Sequence, residues 1–248
     1  MSDFRLKKTC ILYFTSDMGI SLKAAMCLLQ TSMACSDDTY LQFLHPKELI
    51  YYNTLRFPQK RKNYLLGRLC VKEAIKRLYP NIKHTHVNIF NGILSHPVVS
   101  LPLLSNLQVS ISHSFNMGFS IVFPEQIPMG IDTEKIDNRH CDILSNLTTK
   151  EEEKIKDRLS LDKKTFYTLI WSSKESLSKV LKTGLTIPME LYKIKDIHYD
   201  SNYYIINYHI FNQYKTVAFI LYGYIFAITF PQKAYLISDI FSLISRTE

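Results

Sequence analysis

The sequence has little of what marks fibrous, disordered or exported proteins. It contains only 7 glycines and 9 prolines in 248 residues, against 46% apolar and 21% charged residues, which argues against a collagen-like or disordered chain. The five cysteines are widely spaced and include no C-x-x-C pair, so they indicate neither a zinc site nor a redox dithiol. We therefore expect a globular protein of the reducing cytoplasm.

Long apolar runs are also missing. The apolar run at residues 10–14 is shorter than the core of a signal peptide. The most apolar stretch, residues 216–230, carries Gly223, ends at Pro231 and falls short of the ~20 residues that a spanning helix needs. We predict no export signal and no membrane partner, and we interpret residues 216–230 as buried β-strands.

Charge of one sign is in excess. The formal net charge is +8 and the isoelectric point is near 9.1, so the surface attracts acidic partners. This field alone does not choose among nucleic acid, anionic lipid, polyphosphate ligands and acidic proteins. The length is equally permissive, because 248 residues fit one large domain or two smaller ones.

Hydrophobic spacing in the first half predicts two helices followed by strands. Leu22, Ala25, Met26 and Leu29 recur at helical spacing and predict a helix within residues 15–44. A basic helix is predicted over residues 58–79, ended by Pro80. On this helix we expect Arg68, Lys72 and Lys76 to be solvated. Strand-like runs follow at residues 86–90, 107–111 and 119–123.

Residues 124–128 read as a short linker near the midpoint, so we predict an N-terminal half at residues 1–124 and a C-terminal half at 125–248. The second half opens with a predicted strand, followed by a capping box at Thr149–Glu152, a second helix and further strands. The strand is placed at residues 129–136, the helix at 163–182 and the later strands from residue 195 onward. No internal repeat is detectable in the sequence.

Two carboxylates are paired in the segment Gly130-Ile131-Asp132-Thr133-Glu134. The period of two in a strand places Asp132 and Glu134 on one face. Such pairs are also frequent at solvated strand ends, but the position just after the predicted linker favours a functional site.

A second constellation lies on the predicted helix of the second half. Trp171, Glu175 and Lys179 are four residues apart and share one face. The alternative is a solvated Glu–Lys pair. Since Trp171 is the only tryptophan, and a face carrying it tends to be buried, Glu175 and Lys179 would then need partners.

A third element is the run Val109-Ser110-Ile111-Ser112-His113-Ser114, a strand that ends in a hydroxyl-rich turn. A histidine at a strand end is often an ordinary packed or surface residue. The hydroxyls and backbone N–H groups of this turn would nevertheless suit an anion.

Taken together, these motifs resemble the surfactin-type 4′-phosphopantetheinyl transferase family. The family has a Gly-Ile/Val-Asp-x-Glu strand and a later Trp-Ser/Thr-x-Lys-Glu helix, which match residues 130–134 and 171–179, and an Ile-Ser-His-Ser turn, which matches 111–114. Residues 44–48 and 57–68 resemble its N-terminal pattern. Where the family has a Gly-Lys-Pro loop this chain has Ser95-His96-Pro97, so His96 is a candidate substitute for the missing lysine.

The resemblance implies an α+β fold of two similar halves with the active site in the cleft between them. It implies a holo-[acyl-carrier-protein] synthase type of enzyme that transfers the 4′-phosphopantetheine group of coenzyme A to a serine of an acidic acyl or peptidyl carrier protein. The cofactor would be Mg²⁺, which takes oxygen ligands, and adenosine 3′,5′-bisphosphate would be released.

The resemblance also implies roles for individual residues. The metal ligands would be Asp132, Glu134 and Glu175, with Glu175 as the base and Lys179 stabilising the leaving group. The coenzyme A contacts would be Lys179, Lys174, His113 and Ser112, with Arg61 on the 3′-phosphate and Lys62 and Arg56 as weaker candidates.

Two functions of other classes compete with this one. A nucleic-acid-binding protein would use the basic helix at residues 58–79, but the three carboxylates would repel a phosphate backbone. A relative that only binds carrier proteins would have no need for three metal-ligating acids. Mg²⁺-dependent binding of coenzyme A separates the first alternative from the enzyme.

Overall fold

The computed structural model of the chain describes residues 4–31, 38–101, 104, 106–138, 141–184 and 186–245. Within these ranges the protein is a mixed α+β structure with three sheets and seven α-helices, as the α+β prediction requires. No helix among these residues is both long and apolar enough to cross a membrane. The described cysteines Cys10, Cys27, Cys70 and Cys141 are free thiols, and Cys35 lies outside the described residues.

The chain forms two compact units. Unit 1 comprises Met1–Pro128 together with Tyr235–Glu248, and unit 2 comprises Met129–Ala234. The first boundary lies at the predicted linker. The predicted C-terminal half, residues 125–248, includes the end of the chain. In the structure, residues from Tyr235 onward group with unit 1 instead.

Unit 1 is built on a five-stranded antiparallel sheet, a separate hairpin and four helices. Its strands are β1 (Phe4–Ser16), β2 (Ser21–Thr31), β3 (Asn88–Asn91), β4 (Pro97–Ser100), β5 (Leu107–Ser114), β6 (Met117–Pro124) and β12 (Ala234–Leu236). Its helices are α1 (Asp38–Leu41), α2 (Pro46–Thr54), α3 (Pro58–Leu78) and α7 (Ile240–Ser245). The sheet order is β12-β1-β2-β6-β5, and β3 pairs with β4. The predicted strands at residues 107–111 and 119–123 are thus confirmed within β5 and β6. The strand predicted at 86–90 overlaps β3 but begins later, at Asn88, because His84–His86 form a 3₁₀ turn.

The helix predicted within residues 15–44 is wrong, because its apolar positions lie on strand β2. All residues from Ala24 to Leu29 are fully buried, and β2 pairs on one side with β1 and on the other with β6. A strand with both faces covered is apolar at every position, so any spacing, including a helical one, can be read from it.

Helix α3 confirms the predicted basic helix but corrects its surface. It packs against β2 and β6, and it ends before Pro80. Arg68 and Lys72 were expected to be solvated, yet they are only 8% and 1% exposed. Burial at these positions requires partners, which are Glu48 on helix α2 and, for Lys72, the carbonyls of His84 and Val87 just before strand β3.

Unit 2 repeats the combination of a long helix and an antiparallel sheet. Its elements are β7 (Gly130–Lys135), α4 (Cys141–Asn146), α5 (Lys150–Leu159), α6 (Lys163–Leu181), β8 (Ile194–Asp200), β9 (Tyr203–Tyr208), β10 (Tyr214–Leu221) and β11 (Tyr224–Pro231). The sheet order is β7-β11-β10-β9-β8. The predicted helix at 163–182, the strand at 129–136, the strands after residue 195 and the two strands within 216–230 are all confirmed.

A chain of buried hydroxyl groups fixes α6 on this sheet. Ser176 Oγ lies 2.6 Å from Thr229 Oγ1, which lies 2.5 Å from Thr216 Oγ1. Tyr208 closes the chain by donating its hydroxyl to the carbonyl of Ser173 on α6, at 2.8 Å. Since all of these groups are buried, each hydrogen bond compensates a polar atom removed from water.

A buried lysine–glutamate pair organises unit 1. Glu48 completes the capping box of α2 by accepting a hydrogen bond from His45 N, and its other oxygen accepts one from Ile89 N on β3. The Lys72 ammonium lies 2.8 Å from Glu48 Oε2 and also donates to two backbone carbonyls. One carboxylate thus joins α2, α3 and β3.

Unit 2 contains the same arrangement. Glu152 completes the predicted capping box of α5 with Thr149, and its second oxygen accepts from Ile194 N on β8. The Lys174 ammonium lies 2.9 Å from Glu152 Oε2 and donates to the carbonyl of Leu147. One carboxylate again joins a capped helix, the long helix and a strand.

Candidate active site

The predicted acidic strand lies directly against helix α6. At Gly130, an added Cβ atom would lie 2.2 Å from the carbonyl oxygen of Ser176 and 2.7 Å from Val180 N. Only a glycine allows the backbone of β7 to approach the helix so closely. Asp132, two residues further along the same face, is therefore held beside the helix.

Helix α6 presents one partly exposed stripe to this strand. Residues 172–174, 176–178 and 180 are buried, whereas Trp171, Glu175 and Lys179 are only partly buried. The prediction that these three side chains share a face is confirmed by this burial pattern. Within this stripe, Lys179 reaches the strand, where it pairs with Asp132.

Lys179 joins the carboxylates of the strand and the helix. Its ammonium lies 2.9 Å from Asp132 Oδ1 and 3.8 Å from Glu175 Oε1. Glu175 Oε2 is buried and makes no hydrogen bond to the described residues. A buried carboxylate oxygen without a donor is costly, and a cation or a proton donor from a ligand would relieve that cost.

The electrostatic state of Glu175 follows from this geometry. Burial raises the pKa of the Glu175 carboxyl; the Lys179 ammonium opposes the rise and the Asp132 carboxylate adds to it. A carboxyl with a raised pKa is a better proton acceptor once it is ionised. Glu175 is thus suited to accept a proton or to hold a cation.

Glu134 lies on the same strand face as Asp132 but is less buried. Among the described residues, no three His, Cys, Asp or Glu side chains are grouped closely enough to hold a metal ion. The structure therefore brings Asp132 and Glu175 together around Lys179. The three-carboxylate metal set stays a prediction.

Lys174 is placed differently from the prediction. It was expected to contact phosphate oxygens, but its side chain is 1% exposed and its ammonium is paired with Glu152. The stripe of Glu175 and Lys179 lies on another face of α6. We therefore reassign Lys174 as a structural residue. If its ammonium moved away to bind phosphate, the buried Glu152 carboxylate would lose its cation.

The hydroxyl-rich turn belongs to unit 1. Ser112 is buried in β5, and His113 is exposed near the end of that strand. The turn to β6 is tight, with Phe115 at a φ of 53° and Asn116 accepting from Thr31 N at 3.1 Å. Their predicted contacts with coenzyme A remain predictions.

The basic residues predicted for the 3′-phosphate lie around the start of α3. Arg56 is exposed and Lys62 is partly buried. Arg61 donates from Nε to the carbonyl of Leu55 at 2.7 Å, and its guanidinium lies 5.4 Å from the centroid of the Tyr52 ring. One hydrogen-bond donor of Arg61, its Nε, is therefore already used within the protein.

His96, the candidate substitute for the missing loop lysine, is folded back on its own hairpin. A Cβ at Gly92 would lie 2.7 Å from His96 Cε1, so the ring packs on the glycine backbone. Whether His96 replaces the lysine stays a prediction.

One cavity of unit 1 was not predicted from the sequence. A space of about 590 Å³ in unit 1 is lined by ten residues, among them Tyr51, Tyr64, Arg68 and Phe90. The only signal in the sequence was Tyr64 four residues before Arg68, a spacing that stacks the two side chains on one helix face.

Comparison with known proteins locates the acidic strand and helix α6 in one family domain. Residues 128–228 match the family model described as the 4′-phosphopantetheinyl transferase superfamily. A curated relative is the 4′-phosphopantetheinyl transferase Sfp of Bacillus subtilis (strain 168), which is 25% identical over 167 residues, covering 66% of this chain and 71% of the relative. The matched range contains Asp132, Glu134, Glu175 and Lys179.

Proposed function

Because the chain belongs to the 4′-phosphopantetheinyl transferase superfamily, we propose that it transfers the 4′-phosphopantetheine group of coenzyme A to a serine of an apo carrier protein. The observation that supports this most is the contact of Lys179, on the partly exposed stripe of α6, with Asp132 of β7 and Glu175 of α6, inside the matched domain. We further propose that the carrier is an acidic acyl or peptidyl carrier protein, and that the reaction takes place in the cytoplasm.

The carboxylates are suited to a magnesium ion. Asp132 and Glu175 would hold it, with Glu134 on the same strand face as the third candidate ligand. Two observations support the fit: Glu175 Oε2 is buried without a hydrogen bond, and Mg²⁺ prefers carboxylate oxygens. When bound, the ion would neutralise negative charge on the pyrophosphate of coenzyme A.

Two side chains, Glu175 and Lys179, would then act on the serine proton and on the leaving group. The serine oxygen of the carrier forms a bond to the phosphorus of the phosphopantetheine arm, and the P–O bond to the adenosine bisphosphate breaks. Glu175 accepts the serine proton, for which its raised pKa is favourable. Lys179 stabilises the negative charge that develops on the departing adenosine 3′,5′-bisphosphate.

The contribution of unit 1 to binding is part of the same proposal. His113 and Ser112 are proposed to contact phosphate oxygens, and Arg61, Lys62 and Arg56 to contact the 3′-phosphate. Whether the enzyme is of the holo-[acyl-carrier-protein] synthase type, as the sequence predicts, depends on which carriers it accepts.

Intact-mass spectrometry of apo-carriers incubated with coenzyme A, Mg²⁺ and the protein tests this function directly. We expect the carrier to gain one phosphopantetheine, ~340 Da, at its serine. The matched control is Asp132→Asn, which keeps the side-chain size and should abolish the gain. No gain on any acyl or peptidyl carrier, with folded protein and intact coenzyme A, would contradict the proposal.

A further inference from the structure

Lys179 is the cation between the two carboxylates that are proposed to hold Mg²⁺. Its ammonium donates a hydrogen bond to Asp132 Oδ1 at 2.9 Å and lies 3.8 Å from Glu175 Oε1, which is too long for a hydrogen bond. The same ammonium is also proposed to stabilise the departing adenosine bisphosphate. The arrangement in the structure cannot serve both proposed roles at once, because Lys179 is already paired within the protein.

The charges around Lys179 favour one counter-ion at a time. Asp132 is only 2% exposed, so its carboxylate needs a cation beside it. In the structure Lys179 meets that need. A divalent ion on the same carboxylates would bring two cations within a few ångströms of each other, where they repel strongly because little water screens them. An ion that binds to Asp132 and Glu175 is therefore expected to displace the ammonium.

Lys179 neutralises this pair of carboxylates only in part. Glu175 Oε2 is buried and has no hydrogen bond among the described residues. Since the ammonium contacts the other oxygen of Glu175, at a long distance, it does not relieve the cost of burying Oε2. Mg²⁺ binds several oxygen atoms at once, so it would satisfy the two carboxylates more completely than the lysine does.

Lys179 is able to move, in contrast to the other paired lysine of helix α6. The Lys174 side chain is 1% exposed, and its ammonium donates both to Glu152 and to the carbonyl of Leu147. The Lys179 side chain is 24% exposed and lies on the partly exposed stripe. Because a lysine has a long and flexible stem, an ammonium at such a position can turn toward solvent while the helix stays in place.

We propose that Lys179 and Mg²⁺ exchange at this site. The ammonium neutralises Asp132 and Glu175 while the metal is absent, and it turns toward solvent when the metal binds. The released ammonium is then available to a pyrophosphate, a role that rests on the proposed function. The exchange keeps the buried carboxylates paired in the metal-free protein and makes the position of Lys179 depend on the occupancy of the metal site.

Calorimetric titration of the full chain with Mg²⁺ alone tests the competition. Lys179→Met should bind Mg²⁺ about tenfold more tightly than the unaltered protein, because no ammonium has to leave. The matched control is Lys163→Met, which removes the same charge from an exposed position at the start of α6 and should bind like the unaltered protein. Equal Mg²⁺ affinities of the two variants would overturn the exchange, as would the absence of Mg²⁺ binding in both the unaltered protein and Lys179→Met.

Release of the ammonium is measured in the unaltered protein, so this experiment does not depend on the folding of a variant. Lysines are acylated with an N-hydroxysuccinimide ester, and each site is quantified by peptide mass spectrometry. Mg²⁺ should raise the labelling of Lys179 several-fold relative to sodium chloride at the same ionic strength. The matched control is Lys156, whose side chain is 22% exposed and paired with Glu153, and whose labelling should not change. If Mg²⁺ leaves the labelling of Lys179 unchanged, the ammonium stays in place and the proposal is overturned.

Neither measurement uses coenzyme A or a carrier, so the exchange and the proposed function can fail separately. Release of Lys179 by Mg²⁺ without any carrier modification would remove the proposed function and support the exchange. Mg²⁺-dependent carrier modification, with Lys179 labelled equally with and without the metal, would support the function and overturn the exchange.

Discussion

The two long helices carry the same dipeptide and use it differently. Helix α3 of unit 1 contains Lys72-Glu73, and helix α6 of unit 2 contains Lys174-Glu175. Both lysines are buried and paired with a capping-box glutamate that also binds a strand. The lysine and its capping-box partner thus form a structural element that occurs in both units.

The glutamates that follow differ in their partners. Glu73 is ion-paired with Lys7 and lies 3.0 Å from His84 Nε2. Burial opposes its ionisation, but the nearby His84 ring and the Lys7 ammonium outweigh burial and lower the pKa of Glu73. Glu73 Oε1 and Glu175 Oε2 are both buried without a hydrogen bond among the described residues, but burial raises the pKa of the Glu175 carboxyl, and the Lys179 ammonium, 3.8 Å away, does not outweigh it. The glutamate after the buried lysine thus has a lowered pKa in unit 1 and a raised pKa in unit 2.

The largest effect should come from exchanging each glutamate for glutamine. Glu175→Gln should lower kcat of phosphopantetheine transfer by about 10²–10⁴-fold, because it removes the proposed base. Glu73→Gln, the matched control, should leave kcat nearly unchanged. Steady-state kinetics with one carrier measures both; a kcat unchanged in Glu175→Gln would exclude Glu175 as the base.

For stability the order of the two variants should be reversed, with Glu73→Gln having the larger effect on Tm. Since the folded pKa of Glu175 is raised, ionisation of this group opposes folding above its unfolded pKa of about 4.3, so Glu175→Gln should not lower Tm at pH 7. The lowered pKa of Glu73 contributes stability above that pH, which is lost as pH falls through the folded pKa. Glu73→Gln should therefore lower Tm at pH 7 and have less effect in acid. Thermal melts over pH 3–8 decide; equal Tm shifts in both variants would contradict the comparison.

The next largest effect concerns the buried lysines, Lys72 in unit 1 and Lys174 in unit 2. Lys72→Met and Lys174→Met should each destabilise the protein by about 3–5 kcal/mol, because each leaves a buried glutamate without its cation. Urea unfolding measures this. Lys156→Met, which disrupts a surface pair with Glu153, is the control and should change little. If Lys174→Met kept full stability but lost coenzyme A affinity, the predicted contact of Lys174 with phosphate would be supported.

Much of this comparison could not be obtained from the sequence. Strands β5, β6 and β7 and the long helices α3 and α6 follow from the hydrophobic pattern, but a shared Lys-Glu dipeptide is far too short to indicate a repeat. Burial of Arg68 and Lys72 was missed because a basic helix normally faces solvent, and their partner Glu48 is distant in sequence. The helical spacing of Leu22, Ala25, Met26 and Leu29 is misleading, because the all-apolar segment of strand β2 fits both periods.

A smaller effect is expected at the close approach of β7 and α6. Gly130→Ala should cost roughly 1–3 kcal/mol, since its Cβ would meet the backbone of Ser176, and should also reduce transfer by displacing Asp132 from Lys179. The control is Gly67→Ala on α3, where the nearest contact is the Ile111 side chain at 3.2 Å. Equal Tm and activity for the two variants would show that β7 and α6 can move apart at Gly130 at little cost.

The smallest effect should be that of salt. The net charge of +8 predicts that kcat/KM for an acidic carrier falls several-fold between low salt and about 0.5 M, while kcat changes little, because exposed charges are screened. A neutral serine peptide is the comparison substrate. If the acidic carrier and the peptide lose the same factor, salt acts on the coenzyme A site and the basic surface does not recruit the carrier.

The pairing of β12 with β1 has a consequence for the order of folding during synthesis. The sheet of unit 1 needs residues that follow all of unit 2, so unit 2 is an insertion within unit 1. While the ribosome makes unit 2, β1 has a free edge of backbone N–H and C=O groups, the kind of edge that pairs with other chains. Unit 2, being continuous, can complete its sheet first. The nascent protein is therefore most open to aggregation through its earliest strand until its last strand emerges.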